Sequence, residues 1–316
     1  MAEIGEDLRR AEQILRQGGL VSIPTETVYG LGANGLNVAA VLQIFSVKER
    51  PSFDPLILHS TQEQIFSWAR EIPKQAKLLA DAFWPGPLTL VLPKSEQVPY
   101  EVTSGLDTVG LRVPKHPLTL ELLAQLDFPI SAPSANPFGY VSPTTAAHVN
   151  EQLGDKIDYI LDGGSCPVGI ESTIVGFPQG VPTIYRLGGL ERDKIESVIG
   201  YVHQKTIENS KPNSPGMILE HYSPHKPLFL VNDFSEIQDD EGVVYILFGE
   251  ALEVEQNRQF FLSREGNYYE ASAKLYALLR TLDKTSFHTI VAKRLPEQGL
   301  GAAINDRLFK ASVKKK

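Results

Sequence analysis

Between residues 205 and 227 the chain loses its periodicity. The stretch KTIENSKPNSPGMILEHYSPHKP carries four prolines. Each fixes φ and lacks a backbone donor, so neither a helix nor a central strand runs through it. The break divides the chain into two patterned regions, 1–205 and 228–316, each with its own apolar faces to bury. Residues 206–227 form a linker between them or, given their number, an ordered lid over a site. A chain of 316 residues also fits about two domains by size alone.

Before the break, short apolar runs bounded by Gly, Pro and polar residues outnumber helical patterns. LVSIP (20–24), PLILH (55–59), LTLVLP (88–93), TVGLRVP (108–114) and PISAP (129–133) read as strands, as do the cores of KIDYILDGG, STIVGF and TIYRLGG. Ile4, Leu8, Ala11, Ile14 and Leu15 recur at helical steps and predict a helix over 3–17, stopped by Gly18-Gly19. Further helices are expected over 37–45 with Asn37 as cap, and over 62–70, 73–83 and 191–200. Strands that follow one another directly imply an α/β fold of α+β character around a mixed sheet. After the break, LFLV, GVVYILFG, RQFFLS and HTIVAKRLP are interleaved with helical patterns at 270–283 and in LGAAINDRLFKAS. That alternation predicts a small three-layer α/β domain. Lys314-Lys315-Lys316 reads as a solvated tail.

The net charge is −8, and residues 1–205 alone hold 16 basic and 23 acidic groups, 16 − 23 = −7. Such a surface does not attract nucleic acid or anionic membrane broadly. No apolar run approaches the ~20 residues that span a bilayer. The N-terminus lacks the cationic-then-apolar order of a signal peptide, so a cytoplasmic protein is expected. The single cysteine, Cys166, forms no internal disulfide and supplies no cysteine-rich metal site. An anion site in the first region must therefore use a small, focused set of cations. Lys48, Arg50, Arg112 and Arg186 all fall beside polar strand or helix ends, although sequence alone does not show that they converge.

GLGANG (30–35) fits G-x-G-x-x-G literally, but a dinucleotide site needs those glycines directly between a strand and a helix. Here it reads as a loop bringing Thr25, Glu26, Thr27 and Tyr29 toward a ligand. In SVKERP (46–51), Lys48 and Arg50 either answer the helix dipole or, if the chain unwinds before Pro51, face one ligand together. The P-loop pattern is absent. SAPSAN (131–136) is a strand end breaking into hydroxyl and amide groups. Its Ser134 lacks the G-x-S-x-G elbow of a hydrolase nucleophile. His221 and His225 have helical metal-ligand spacing, but Pro224 intervenes and no third ligand is near. Trp84 in WPGP reads as a packing residue.

In order along the chain, PTETVYGLG, SVKERP, PLILH, WPGPLTLVL, DTVGLRVP, SAPSAN, GIESTIV and YRLG resemble the threonylcarbamoyl-AMP synthase (YrdC-type) family. SPGMILEHYSP followed by a region ending in GLGAAINDRLFKAS resembles its two-domain form. The resemblance implies an open twisted sheet lining a positively charged cavity, the linker running over it, and a Rossmann-like C-terminal domain. It implies synthesis of threonylcarbamoyl-AMP and pyrophosphate from L-threonine, bicarbonate or carbon dioxide, and ATP with Mg²⁺, with no organic cofactor. The product would go to the machinery that modifies the adenosine beside the tRNA anticodon. A non-catalytic RNA-binding module on the same fold is the alternative.

Carried over motif by motif, Thr27, His59, Arg112, Ala132 and Ser172 would bind threonine. Arg112 would take its carboxylate, and Ala132 would act through its backbone. Lys48 and Arg50 would bind the reacting phosphates. Thr108, Ser134, Asn136, Ser142, Arg186 and Tyr222 would complete the ATP site. Asp54 departs from the family, which usually carries Asn there. An acid beside phosphate must be protonated, paired with Arg50, or bound through Mg²⁺.

Overall fold

A computed structural model describes residues 1–205 and 222–313. Most of the expected linker, including His221, and the Lys314–Lys316 tail lie outside the described residues.

The chain begins with strand β1 (Glu3–Gly5), not with a helix. β1 pairs in parallel with a later strand, Tyr159–Leu161, and Ile4 is 44% exposed instead of lying on a buried helix face. The backbone of an open sheet edge outweighs the helical pattern here. Asp7 then caps α1 (Leu8–Arg16), its carboxylate accepting from the backbone N–H groups of Arg9 and Arg10 at 2.9 and 3.1 Å. β2 (Val21–Ile23) turns into β3 (Gly30–Asn34), which is the expected GLGANG loop. Its glycines serve close packing within a strand. A Cβ on Gly32 would stand 2.8 Å from Ile130 Cγ2, and one on Gly30 would stand 3.2 Å from Ala132 Cβ.

Asn37 caps α2 (Val38–Lys48) as expected. β4 (Ile57–His59) follows, and the 62–70 pattern yields only a 3₁₀ turn at Ile65–Trp68. Then come α3 (Lys74–Phe83), β5 (Leu88–Pro93), α4 (Tyr100–Thr103) and β6 (Thr108–Arg112). α5 (Pro117–Ala124), started by a proline in its first turn, precedes β7 (Ile130–Ser131). α6 (Ala146–Leu153), capped by Thr145, precedes β8 (Tyr159–Leu161). β9 (Thr173–Gly176), β10 (Thr183–Arg186), α7 (Arg192–Ile199) and β11 (His203–Gln204) close the region. These strands form one eleven-stranded mixed sheet in the order β1-β8-β2-β3-β7-β4-β6-β5-β9-β10-β11.

The second region holds a four-stranded parallel sheet. Its strands β12 (Leu228–Val231), β13 (Val243–Phe248), β14 (Gln259–Ser263) and β15 (Thr289–Lys293) are ordered β12-β15-β13-β14. Val244 and Ile246 of β13 face α8 (Tyr268–Asp283) and α9 (Gly301–Ser312). Val243, Tyr245 and Leu247 face the opposite layer, which is made of turns carrying Phe234, Ile237, Leu252 and Val254. The helix layer also packs on the first region, where Val28, Tyr140, Val141 and Ile170 share a core with Leu275, Tyr276, Leu279 and Ile304. Gly169 sits at this junction with φ +76°, and a Cβ there would meet Ser272 O at 2.4 Å. Among the described residues no helix is long and apolar enough to cross a membrane.

Candidate active site

The sheet register brings the polar strand ends together. β4 and β6 run in parallel with His59 opposite Arg112, and β7 runs antiparallel to β4 with Ile130 opposite His59. β5 is antiparallel to β6 and parallel to β9, and β10 turns back along β9, so Ser172, just before β9, and Arg186, ending β10, reach the same edge. Arg50, His59, Arg112, Ala132, Ser134, Ser172, Arg186 and Tyr222 line one cavity. Thr25, Val28, Gly30 and Glu171 complete much of its wall. Three of the four expected cations, Arg50, Arg112 and Arg186, thus converge, which the sequence alone left open.

Each arginine is held by the chain itself. Arg112 Nη2 lies 2.8 Å from Thr27 Oγ1, to which it donates, and 2.9 Å from Glu26 Oε1. Glu26 Oε2 accepts in turn from the Lys115 backbone N–H at 2.9 Å. Thr27 therefore stands behind Arg112. Among the described residues Arg112 Nε is buried without a hydrogen-bond partner, a donor that a carboxylate would satisfy. Its neighbour His59 is neutral at ordinary pH: burial, and then the charge of Arg112, push its pKa down to about 3. Arg186 donates from Nε to Ser172 O and from Nη2 to Ser172 Oγ, both at 3.1 Å, and Ser172 Oγ also bonds Thr89 Oγ1 at 2.7 Å.

α2 ends at Lys48 because Glu49 adopts the left-handed conformation at φ 54°. The chain therefore unwinds before Pro51, and Lys48 and Arg50 part. Arg50 turns to the cavity, donating from Nε to Asp54 O (3.1 Å) and from Nη2 to Pro55 O (2.9 Å). Lys48 does not line the cavity; its ammonium donates to Ser134 O at 2.6 Å and to Asn136 O. It braces the SAPSAN turn from behind, and burial, then Arg50, lower its pKa well below the usual lysine value. Asn136 likewise holds that loop, donating to Pro137 O and Tyr140 O at 2.9 Å each. Tyr29, expected near the ligand, instead donates its hydroxyl to Gly164 O at 2.8 Å.

Asp54 is fully buried and sits 2.7 Å from Arg50 Nη2. The contact is an ion pair without the direction of a hydrogen bond, since neither carboxylate oxygen finds a well-aligned donor among the described residues. Burial raises its pKa against the pull of Arg50, Lys48 and Arg186. Of the three ways to accommodate an acid here, pairing with Arg50 is the one observed.

Thr108 is not in the cavity. It lines a neighbouring cleft with Val91, Pro93, Phe177 and Tyr185. Thr108 and Arg112 share one face of β6, roughly 13 Å apart at strand spacing. Ser142 is buried behind the wall, donating to Glu171 Oε1 at 2.7 Å. Tyr222 is buried at φ +66° in the cavity wall, stacked 5.6 Å from Tyr276. Glu171 was not among the expected site residues, nor were its second-region partners Tyr276 and Arg307, each 2.9 Å from Oε2. Burial alone would raise the Glu171 carboxyl, but Arg307, then Arg186, hold it at about 2. Nothing local in the sequence marks those partners.

His225 Nδ1 lies 2.8 Å from Asp283 Oδ2, an ordinary side-chain pair between the linker end and α8. Cys166 is buried, and burial lifts its thiol to about 12, which suits packing and not nucleophilic attack. Trp84 is also buried and donates from Nε1 to Leu88 O at 2.7 Å.

A family model described as "Telomere recombination", covering the Sua5/YciO/YrdC group, matches residues 13–188. A second, for the threonylcarbamoyl-AMP synthase C-terminal domain, matches 190–313. Threonylcarbamoyl-AMP synthase of Pyrococcus abyssi is 42% identical, the match covering 96% of this chain and 94% of the relative. The Bacillus subtilis protein of the same name is 39% identical over 96% and 92%. The crystal structure of P. abyssi Sua5 complexed with L-threonine superposes with a TM-score of 0.89 at 39% identity, covering 98% of this chain and 97% of that one.

Proposed function

Since the chain belongs to the threonylcarbamoyl-AMP synthase family, we propose that it joins L-threonine, bicarbonate or carbon dioxide, and ATP into threonylcarbamoyl-AMP, releasing pyrophosphate. The observation that carries this reading is the convergence of Arg50, Arg112 and Arg186 on one cavity in an otherwise acidic region. A planar guanidinium suits carboxylate and phosphate alike. Arg112, with Thr27 fixing its fork and neutral His59 beside it, takes the threonine carboxylate. Arg50 and Arg186 take phosphates, Ser172 orienting Arg186, while Lys48 and Asn136 fix the loop that presents Ser134.

The reaction needs positioning more than a protein nucleophile. The threonine amine, once neutral, captures carbon dioxide as a carbamate, and a carbamate oxygen attacks the α-phosphorus as pyrophosphate leaves. This is a nucleotidyl transfer. Charge gathers on phosphate oxygens at the moment of transfer, where fixed guanidinium groups in a buried wall act most strongly. Mg²⁺ enters with ATP as part of the substrate, held by phosphate oxygens. The mixed anhydride is prone to hydrolysis, so Tyr222 in the wall helps exclude water. We place the reaction in the cytoplasm, with the product passing to the enzymes that modify the adenosine beside the tRNA anticodon.

The deciding assay is pyrophosphate release from ATP with bicarbonate and each amino acid in turn. Threonine-dependent release is expected, and release indifferent to threonine would overturn the proposal.

A further inference from the structure

Glu171 puts a buried acid into the wall of a cavity meant for anions. Its carboxylate is gripped from three sides, by Ser142 Oγ at 2.7 Å and by the Tyr276 hydroxyl and Arg307 Nε at 2.9 Å each. Two of these donors come from the second region, Tyr276 from α8 and Arg307 from α9. Arg307 is itself fully buried, pairs through Nη1 with Asp306 at 2.6 Å and lies over the Tyr222 ring at 5.3 Å. Arg186 shares the cavity wall with Glu171 and is close enough to help hold its carboxyl down.

A buried carboxylate deprived of one cation turns to the next available. Without Arg307, the next is Arg186, and a carboxylate drawn onto Arg186 competes with a phosphate for the same fork. We propose that Arg307 is a positioning residue for the nucleotide site: by neutralising Glu171 from the far side of the domain junction, it keeps that carboxylate from competing with phosphate for Arg186. Tyr276 acts in the same direction with a single hydrogen bond. The second region thereby tunes the cavity in the first without touching substrate. The inference rests on the nucleotide reading of the cavity given above.

The test compares steady-state kinetics of the full chain as wild type, Arg307→Met, and Arg307→Met combined with Glu171→Gln, varying ATP at saturating threonine and bicarbonate. Arg307→Met is expected to raise the ATP KM by about tenfold or more, with a smaller change in kcat, since a buried carboxylate that has lost its partner is a strong competitor. Adding Glu171→Gln is expected to restore most of that loss. A purely structural clamp would instead show in thermal stability, which Glu171→Gln would also repair, with the ATP KM of the folded single variant unchanged. An unchanged KM in Arg307→Met, or a double variant no better than the single, overturns the inference. Should circular dichroism show that Arg307→Met does not fold, Tyr276→Phe with and without Glu171→Gln is read by the same criteria, with an expected rise of about threefold. A wild-type chain without threonine-dependent pyrophosphate release would instead sink the functional reading, before any variant is compared.

Discussion

Asp54 offers the sharpest test of how charge is arranged in the cavity. Its carboxylate lies 2.7 Å from Arg50 Nη2, and Arg50 lines the cavity whereas Asp54 does not. A phosphate bound to the exposed side of that guanidinium would stand roughly 7 Å from the carboxylate. Two unit charges at that distance, with an effective dielectric of about 20, repel by about 2 kcal/mol, or some thirtyfold in affinity. Asp54→Asn removes this repulsion. It does not release Arg50, whose bonds to the carbonyls of residues 54 and 55 belong to the backbone. ATP affinity is therefore expected to hold or to improve, by up to about thirtyfold, when measured by calorimetry at neutral pH.

The same variant has a pH signature. Burial already raises the Asp54 pKa, and an arriving phosphate raises it further. Between the two values binding takes up a proton, so wild-type affinity rises as pH falls through the bound-state pKa and levels off below the free-state pKa. The terminal phosphate of ATP titrates in both proteins, so the difference between wild type and Asp54→Asn isolates the carboxyl. A loss of affinity beyond about tenfold in Asp54→Asn would show that the acid serves the nucleotide directly and refute the argument.

Two further outcomes can be checked with simpler assays. Lys48→Ala and Arg50→Ala should each cut turnover at least about tenfold in folded protein, Arg50 through phosphate and Lys48 through the Ser134 and Asn136 carbonyls that it holds. Unchanged rates would return both to the role of helix-end cations. His59 is buried neutral, with its pKa lowered to about 3, so the unfolded chain binds its proton first as pH falls below the ordinary histidine value. Urea unfolding should show stability falling toward pH 3 by about 1.4 kcal/mol per unit from this one group. His59→Gln should lose that component, and identical pH profiles for the two proteins would contradict it.

Much of the architecture was legible because strand and cap signals are local. β5 coincides with LTLVLP, and Asn37 caps α2 where a cap was expected. The failures share a cause. Residues 3–5 carry a helical pattern but pair with β8, more than 150 residues away, and no window of sequence contains that edge. GLGANG resembled a loop because its glycines weaken a strand signal, and their purpose appears only once Ile130 and Ala132 lie against them. α5 and α6 are only eight residues each and lie between stronger strand signals, too short to carry a clear helical period. In the site, ordered motifs pointed to the three arginines. Whether a cation faces the cavity or a carbonyl depends on one left-handed residue, Glu49, which sends Lys48 and Arg50 different ways. The Glu171–Arg307 pair spans 136 positions and has no local mark at all.

The two-residue strand β7 has a kinetic consequence. In the order of described strands it alone stands between β3 and β4, with Ser131 opposite both Ala33 and Leu58. β2 and β3, leading to and from the Thr25–Val28 turn, lie to one side of this seam, and β4, β6 and β10, bearing His59, Arg112 and Arg186, lie to the other. Local pairings such as β2 with β3 and β5 with β6 can form early, whereas the seam, like β8 against β1 and β2, waits for a long loop to close. Until it does, β3 and β4 each present a bare edge to other chains. Completing the cavity wall and covering those two edges therefore both wait on the arrival of Ile130 and Ser131.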